Sequence, residues 1–223
     1  RSWLSASAST SLAWRRRSVA SSIASPSSSR LMRISSGASL AMRSVATTTL
    51  VLGFFQVLPH PPVGVSEVHL ILGSTLFLMF GAGPAAIGLA LGLLVQGLIF
   101  APFDLPQYGM NVTTLLVPLY AMSLLAARII PAKTAYKDVK YRQALALSTT
   151  YQGGIVAWVA FWALYGHGFA AGNLAQVASF GAAYMTVILL EPLVDLAVLA
   201  VAKNAGRLTD NLAFQNRLHH AAA

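Results

Sequence analysis

The sequence predicts an all-α, polytopic membrane protein, a helix bundle with about six transmembrane helices. Hydrophobic residues make up 56% of the chain and charged residues 9%, and the mean hydropathy is +0.66. An ordinary globular domain has about 25% charged residues. Between Ser44 and Ala127 the only charged residues are Glu67 and Asp104. Because charged side chains are costly in hydrocarbon, so long a stretch with so few of them is typical of chain inside a membrane.

The first 43 residues have a different composition. They are rich in Ser and Ala and contain seven arginines but no acidic residue. Three interpretations stay open: an organelle transit peptide, a basic disordered arm at the membrane surface, or a translated stretch that is not native coding sequence. We predict a disordered or non-native segment at 1–43, a transmembrane domain at 44–203 and a cytoplasmic tail at 204–223.

Six apolar segments follow, separated by short loops rich in Pro, Gly or polar residues. A helix needs about 20 apolar residues to cross the hydrocarbon core, so 223 residues leave room for one membrane domain. The predicted spans are Ser44–Pro59, Glu67–Gly81, Ala85–Ala101, Gly109–Ala127, Gln143–Tyr165 and Leu174–Ala202.

The basic residues predict the orientation. Arg43, the loop Arg128–Arg142 and the tail from Lys203 onward carry most of the positive charge outside the first segment. Loops rich in Lys and Arg stay on the cytoplasmic side, and with six spans these three regions lie on one side. We therefore expect both termini in the cytoplasm. The opposite face then collects His60, Glu67, His69, Asp104 and His167.

This outer face contains a candidate metal site. His69 is predicted at the outer end of the second span, two residues after Glu67 and across a proline-rich loop from His60. The chain has no cysteine, and imidazole suits nickel, cobalt, copper and zinc. The alternative is that His69 is an interfacial histidine hydrogen-bonded to a carbonyl group.

Other polar residues are candidates for supporting roles. Asn111 and Gln96 could hydrogen-bond to a ligand histidine or to loop backbone, and Asp104 is either part of the site or an ordinary loop carboxylate. Glu191 and Asp195 stand four apart in the sixth span, where carboxylates suggest a functional site. For this pair we favour a structural or subunit-contact role over ligand binding.

Sequence motifs of common enzymes are absent. The chain contains no H-E-x-x-H pattern, no G-x-S-x-G pattern and no Walker A sequence. We therefore expect a transport protein without a permanently bound cofactor and without its own ATPase activity.

The stretch SEVHLILGSTLFLMFGAGPAAIGLALGLLVQGLIFAPFDLPQYGMNV resembles the CbiM/NikM family, the substrate-specific membrane components (S-components) of energy-coupling factor ABC transporters. The resemblance rests on residues that occur in the family's order and at similar spacing. These are His69, the Gly83-Pro84 turn, Gln96, Phe100, Gly109 and Asn111. Glu67 replaces a small residue common in the family, which suggests a subgroup with altered ligation.

The resemblance implies a substrate-binding subunit that imports cobalt or nickel ions. Its partners would be a transmembrane coupling subunit and ATPase subunits, with a small accessory membrane subunit as a further candidate, in the bacterial cytoplasmic membrane. Family members begin with Met-His and have a further transmembrane helix before the first span predicted here. With the spans predicted above, this chain has neither feature. His69 is then the one family ligand present. An S-component-like permease for another small solute, such as a vitamin, stays the alternative.

Overall fold

The computed structural model describes the backbone of residues 26–204 and the side chains of residues 36–204. The chain divides into two units, 1–37 and 38–223, and the packing described below is that of the second. The elements are α1 (Pro26–Val57), β1 (Pro62–Val63), β2 (Ser66–Glu67), α2 (Gly73–Phe80), α3 (Ala82–Ile99), α4 (Tyr108–Ile129), α5 (Tyr141–His167) and α6 (Ala171–Asn204). Short 3-10 helices lie at Pro102–Gln107 and Tyr136–Asp138. The predicted all-α membrane bundle is confirmed.

Five helical segments in the described part are long and apolar enough to cross a membrane. They are Ser36–Val57, Ala82–Ile99, Pro102–Ile129, Tyr141–His167 and Ala171–Asn204. The first begins upstream of the predicted start at Ser44, and α1 itself begins at Pro26. Within this helix the Arg43 guanidinium donates hydrogen bonds to the carbonyls of Ser39 and Phe80. The prediction that 1–43 is disordered or non-native remains a prediction for residues 1–25, which lie outside the described part, whereas 26–43 form the first part of α1.

The second predicted span, Glu67–Gly81, is not a continuous helix, and this corrects the count of six. It contains strand β2, a non-helical segment at Val68–Leu72 and then α2, which has eight residues. Eight residues rise about 12 Å, too little to cross the bilayer alone. Seven residues of α2 are buried. Its apolar sequence therefore reflects burial inside the protein, which hydropathy cannot distinguish from burial in lipid.

Small residues bring α1 and α3 into close contact. A Cβ atom added at Gly88 would lie 2.4 Å from Thr47 Oγ1, and one added at Gly92 would lie 2.6 Å from Val51 Cγ1. Thr47 Oγ1 also donates to the carbonyl of Pro84 at 2.7 Å. Close backbone approach of this kind stabilises helix pairs in membranes, where van der Waals contact drives association.

We expect Gly88→Ala to destabilise the detergent-solubilised protein by about 1–3 kcal/mol, the usual cost of overpacking. Gly153→Ala is the matched control, because a Cβ there meets no atom within 4 Å and Gly→Ala in a helix is otherwise favourable. Thermal unfolding followed by circular dichroism measures both. Equal melting temperatures for the two variants would contradict the packing described for α1 and α3.

The two ends of the bundle differ in character. At one end Lys203 Nζ donates to the carbonyl of Lys137 at 2.5 Å and lies 5.4 Å from the Tyr141 ring centre. At the other end the ring of Phe55 lies 4.7 Å from that of His69. The basic loop, which contains Lys137, and the candidate site, which contains His69, therefore lie at opposite ends of the helix bundle.

Candidate metal-binding site

A β-hairpin carries part of the site. Strands β1 and β2 pair antiparallel, with Pro62 opposite Glu67 and Val63 opposite Ser66. The turn includes Gly64 at φ 62°, and a Cβ added there would lie 2.2 Å from the carbonyl oxygen of Gln176. Glycine is thus required both by the backbone conformation and by the contact with α6. This contact holds the hairpin, and with it Glu67, against the bundle.

The structure brings His60, Glu67 and His69 together. Glu67 Oε2 lies 3.0 Å from His69 Nε2 and 3.4 Å from His60 Nδ1. One potential ligand atom from each residue lies within 4.8 Å of the other two. Donors about 2.1 Å from a metal ion are separated by about 3.0 Å in octahedral and about 3.4 Å in tetrahedral coordination. The two distances from Glu67 Oε2 to the imidazole nitrogens, 3.0 and 3.4 Å, therefore match those between donors bound to one transition-metal ion.

His69 lies deeper than its two neighbours. Its side chain is 19% exposed, against 40% for His60 and 41% for Glu67. Its ring stacks on that of His60, with centres 5.2 Å apart and an interplanar angle of 15°. Burial, with a smaller contribution from His60, lowers the pKa of His69 to about 4. Burial outweighs the attraction of the half-exposed Glu67, so the imidazole is neutral at pH 7, which is the form that binds metals.

The low pKa predicts how stability changes with pH. Between about pH 6.5 and pH 4 the unfolded chain binds a proton at His69 that the folded protein does not, so the free energy of unfolding falls as the pH falls through this range. We expect His69→Gln to flatten this part of the melting temperature–pH curve. His167→Gln is the control, because His167 is exposed at the end of α5. A parent curve as flat as that of His69→Gln would contradict the assignment.

A cavity of about 350 Å³ adjoins the cluster and reaches into the bundle. Its wall includes His69 and Glu67 together with Gln96, Asp104 and Asn111, the three residues that the sequence suggested as supporting groups. None of these three side chains hydrogen-bonds to another residue in the described part of the chain. They are thus free to bind water or cargo. His167 does not line this cavity.

Three residues at the candidate site were not predicted from the sequence. Gln107 and Tyr184 line the cavity, and Phe55 packs against the His69 ring. Gln107 precedes α4 and could have been suspected as a polar loop residue close to Asp104. Tyr184 and Phe55 lie in apolar helices, where no sequence signal separates them from ordinary core aromatics.

Helices of this length and hydropathy define a polytopic membrane protein. The polar cavity and the cluster of ionisable side chains beside it form its candidate solute site. The chain belongs to the CbiM family, described as the cobalt uptake substrate-specific transmembrane region, whose model matches residues 11–207. It is thus a membrane component for cobalt uptake, and the predicted family is confirmed. No match was found among curated proteins or among solved structures.

Proposed function

We propose that this chain is the substrate-binding subunit of an energy-coupling factor ABC transporter that imports Co²⁺ or Ni²⁺ across a bacterial cytoplasmic membrane. The observation that supports this most strongly is the cluster of His60, Glu67 and His69, of which Glu67 and His69 line the cavity. Two imidazoles and one carboxylate bind first-row divalent ions better than Mg²⁺ or Ca²⁺, which prefer oxygen ligands. The open cavity leaves the remaining coordination positions to water.

Charge supports a divalent cargo. The cavity wall holds the carboxylates of Glu67 and Asp104 and no Lys or Arg, so a bound divalent ion would neutralise both. The amides of Gln96 and Asn111 offer hydrogen-bond partners to the waters that such an ion retains. Because the side chains of His60 and Glu67 are about 40% exposed, the ion would give up only part of its hydration shell on entry.

Transport would need partners that supply energy. The chain has no Walker A sequence, and membership of a substrate-specific component family suggests separate subunits for ATP hydrolysis and for coupling. We propose a transmembrane coupling subunit and ATPase subunits in these roles. Nickel and cobalt both suit imidazole and carboxylate ligands, and geometry decides between them.

Binding by the purified full chain in detergent is the direct test. Equilibrium dialysis with Co²⁺ and with Ni²⁺ should show one ion bound per chain, resistant to a large excess of Mg²⁺. The cavity volume of about 350 Å³ also falls in the range of small-molecule sites, so an organic solute such as a vitamin is the second candidate. A chain that binds neither ion, but is stabilised by a vitamin without metal, would favour that candidate.

We expect the candidate site to face the outside of the cell and the basic loop to face the cytoplasm. The chain has no native cysteine, so single substitutions report cleanly. Phe103→Cys, at an exposed position beside Asp104, should react with a membrane-impermeant maleimide in intact cells, because the positive-inside rule places it outside. Lys137→Cys should react only after permeabilisation. The reverse pattern would contradict the orientation.

A further inference from the structure

We propose that Glu191 and Asp195 of α6 are positioning residues for His69: they hold the segment that carries this histidine, and so determine the geometry of the metal cluster. The inference rests on the proposed function. Both side chains are buried, with exposed fractions of 0% and 1%, and neither lines the cavity. In the described part of the chain neither forms a salt bridge, since the pairs found there join His60 and His69 to Glu67.

The backbone of the segment that contains His69 needs hydrogen-bond partners. Val68–Leu72 is non-helical, and unsatisfied backbone groups at membrane depth cost several kcal/mol each. Ile71 N donates to Glu191 Oε2 at 3.2 Å, a bond that is buried. The backbone then turns at Leu72 with φ 55° and ψ 34°. A left-handed conformation at a leucine persists only where its surroundings impose it.

The first turn of α2 is held in the same way. Leu72 at its N-terminus provides no side-chain cap. The Asp195 carboxylate instead accepts hydrogen bonds from the hydroxyls of Ser74 and Thr75. A carboxylate at the start of a helix also interacts favourably with the helix dipole. The acidic groups of α6 thus replace the cap that the sequence of α2 lacks.

A third contact reaches His69 itself. Tyr184 Oη donates to the carbonyl oxygen of His69 at 3.4 Å. Tyr184, Glu191 and Asp195 are spaced by seven and four residues, which places them on one face of a helix. They contact His69, Ile71 and Ser74–Thr75 in the same order along the chain. One face of α6 therefore binds the chain on both sides of the turn at Leu72, through backbone groups of His69 and Ile71 and through the hydroxyls of Ser74 and Thr75.

The test uses the full chain in detergent, with Co²⁺ as the probe. We expect Glu191→Leu to weaken Co²⁺ binding about 10–100-fold, as loss of a group that orients a ligand does, and to alter the visible absorption spectrum of bound Co²⁺, which reports ligand geometry. Glu191→Gln should stay close to the parent in both, because its amide oxygen can still accept from Ile71 N–H. Tyr184→Phe, which removes only a hydroxyl, should change both in the same direction by less.

Leu199→Ala is the matched control, since Leu199 is a fully buried residue of α6, one turn beyond Asp195. It should lower the melting temperature but leave the Co²⁺ affinity and spectrum unchanged. The inference is overturned if Glu191→Leu binds Co²⁺ like the parent, if Glu191→Gln is as weak as Glu191→Leu, or if Leu199→Ala weakens binding equally. A parent chain that binds no Co²⁺ would instead overturn the proposed function.

Discussion

Replacing His69 by alanine is expected to weaken Co²⁺ and Ni²⁺ binding more than about 100-fold, beyond the 10–100-fold typical of groups that only orient a ligand. His69 is the most buried of the three candidate ligands and its Nε2 lies 3.0 Å from the carboxylate oxygen that both histidines approach. The truncation therefore removes a donor and opens the cluster to the cavity. We expect His60→Ala to cost less, because its half-exposed ring leaves room for water to replace it.

Asn111→Ala is the matched variant for this experiment, since Asn111 lines the same cavity without belonging to the cluster. It should weaken binding less than either histidine substitution. Equilibrium dialysis should be paired with metal uptake by cells that contain the partner subunits, so that binding and transport are measured separately. If His69→Ala binds and transports both ions like the parent, the cluster is not the cargo site.

The charge-neutralising substitution Glu67→Gln is expected to weaken binding about 10–100-fold while keeping the shape of the side chain. Glu67 Oε2 is the acceptor that lies within 3.4 Å of both imidazoles, and a neutral amide oxygen attracts a divalent cation much less than a carboxylate does. The loss should be smaller at high ionic strength than in dilute buffer, because salt screens half-exposed charges.

Asp104→Asn separates this effect from a general loss of negative charge. It removes the same unit of charge from the wall of the same cavity, but Asp104 is not part of the three-residue cluster. Calorimetric titration with Co²⁺ should show a smaller loss for Asp104→Asn than for Glu67→Gln. Equal losses would mean that Glu67 acts only through the field of the cavity and is not a ligand.

Much of the fold could be predicted because lipid imposes a simple rule on the chain. Long stretches such as Ala171–Asn204 contain few charges, and their helical state follows from the need to satisfy every backbone group. The prediction of a transmembrane helix at Glu67–Gly81 was wrong because apolar sequence has a second cause there. The residues of α2 are apolar because protein surrounds them, and a broken segment buried in protein has the same hydropathy as a span buried in lipid.

The sequence singled out the candidate residues of the site but did not predict their geometry. His60, Glu67 and His69 are close in sequence, and their scarcity in an apolar chain was enough to single them out. The stacking of the two imidazoles depends on the hairpin around Gly64 and its contact with Gln176, 112 positions further along the chain. No local pattern carries that information.

The sequence by itself determined that this protein is a helical membrane bundle, which family it belongs to, and which polar residues stand out, because composition and spacing are local properties. The tertiary structure alone decided that Glu191 and Asp195 hold the turn between His69 and α2. These carboxylates lie about 120 residues from the groups they bind. Their role depends on a buried contact between distant elements, because the backbone N–H of Ile71 finds its acceptor on α6.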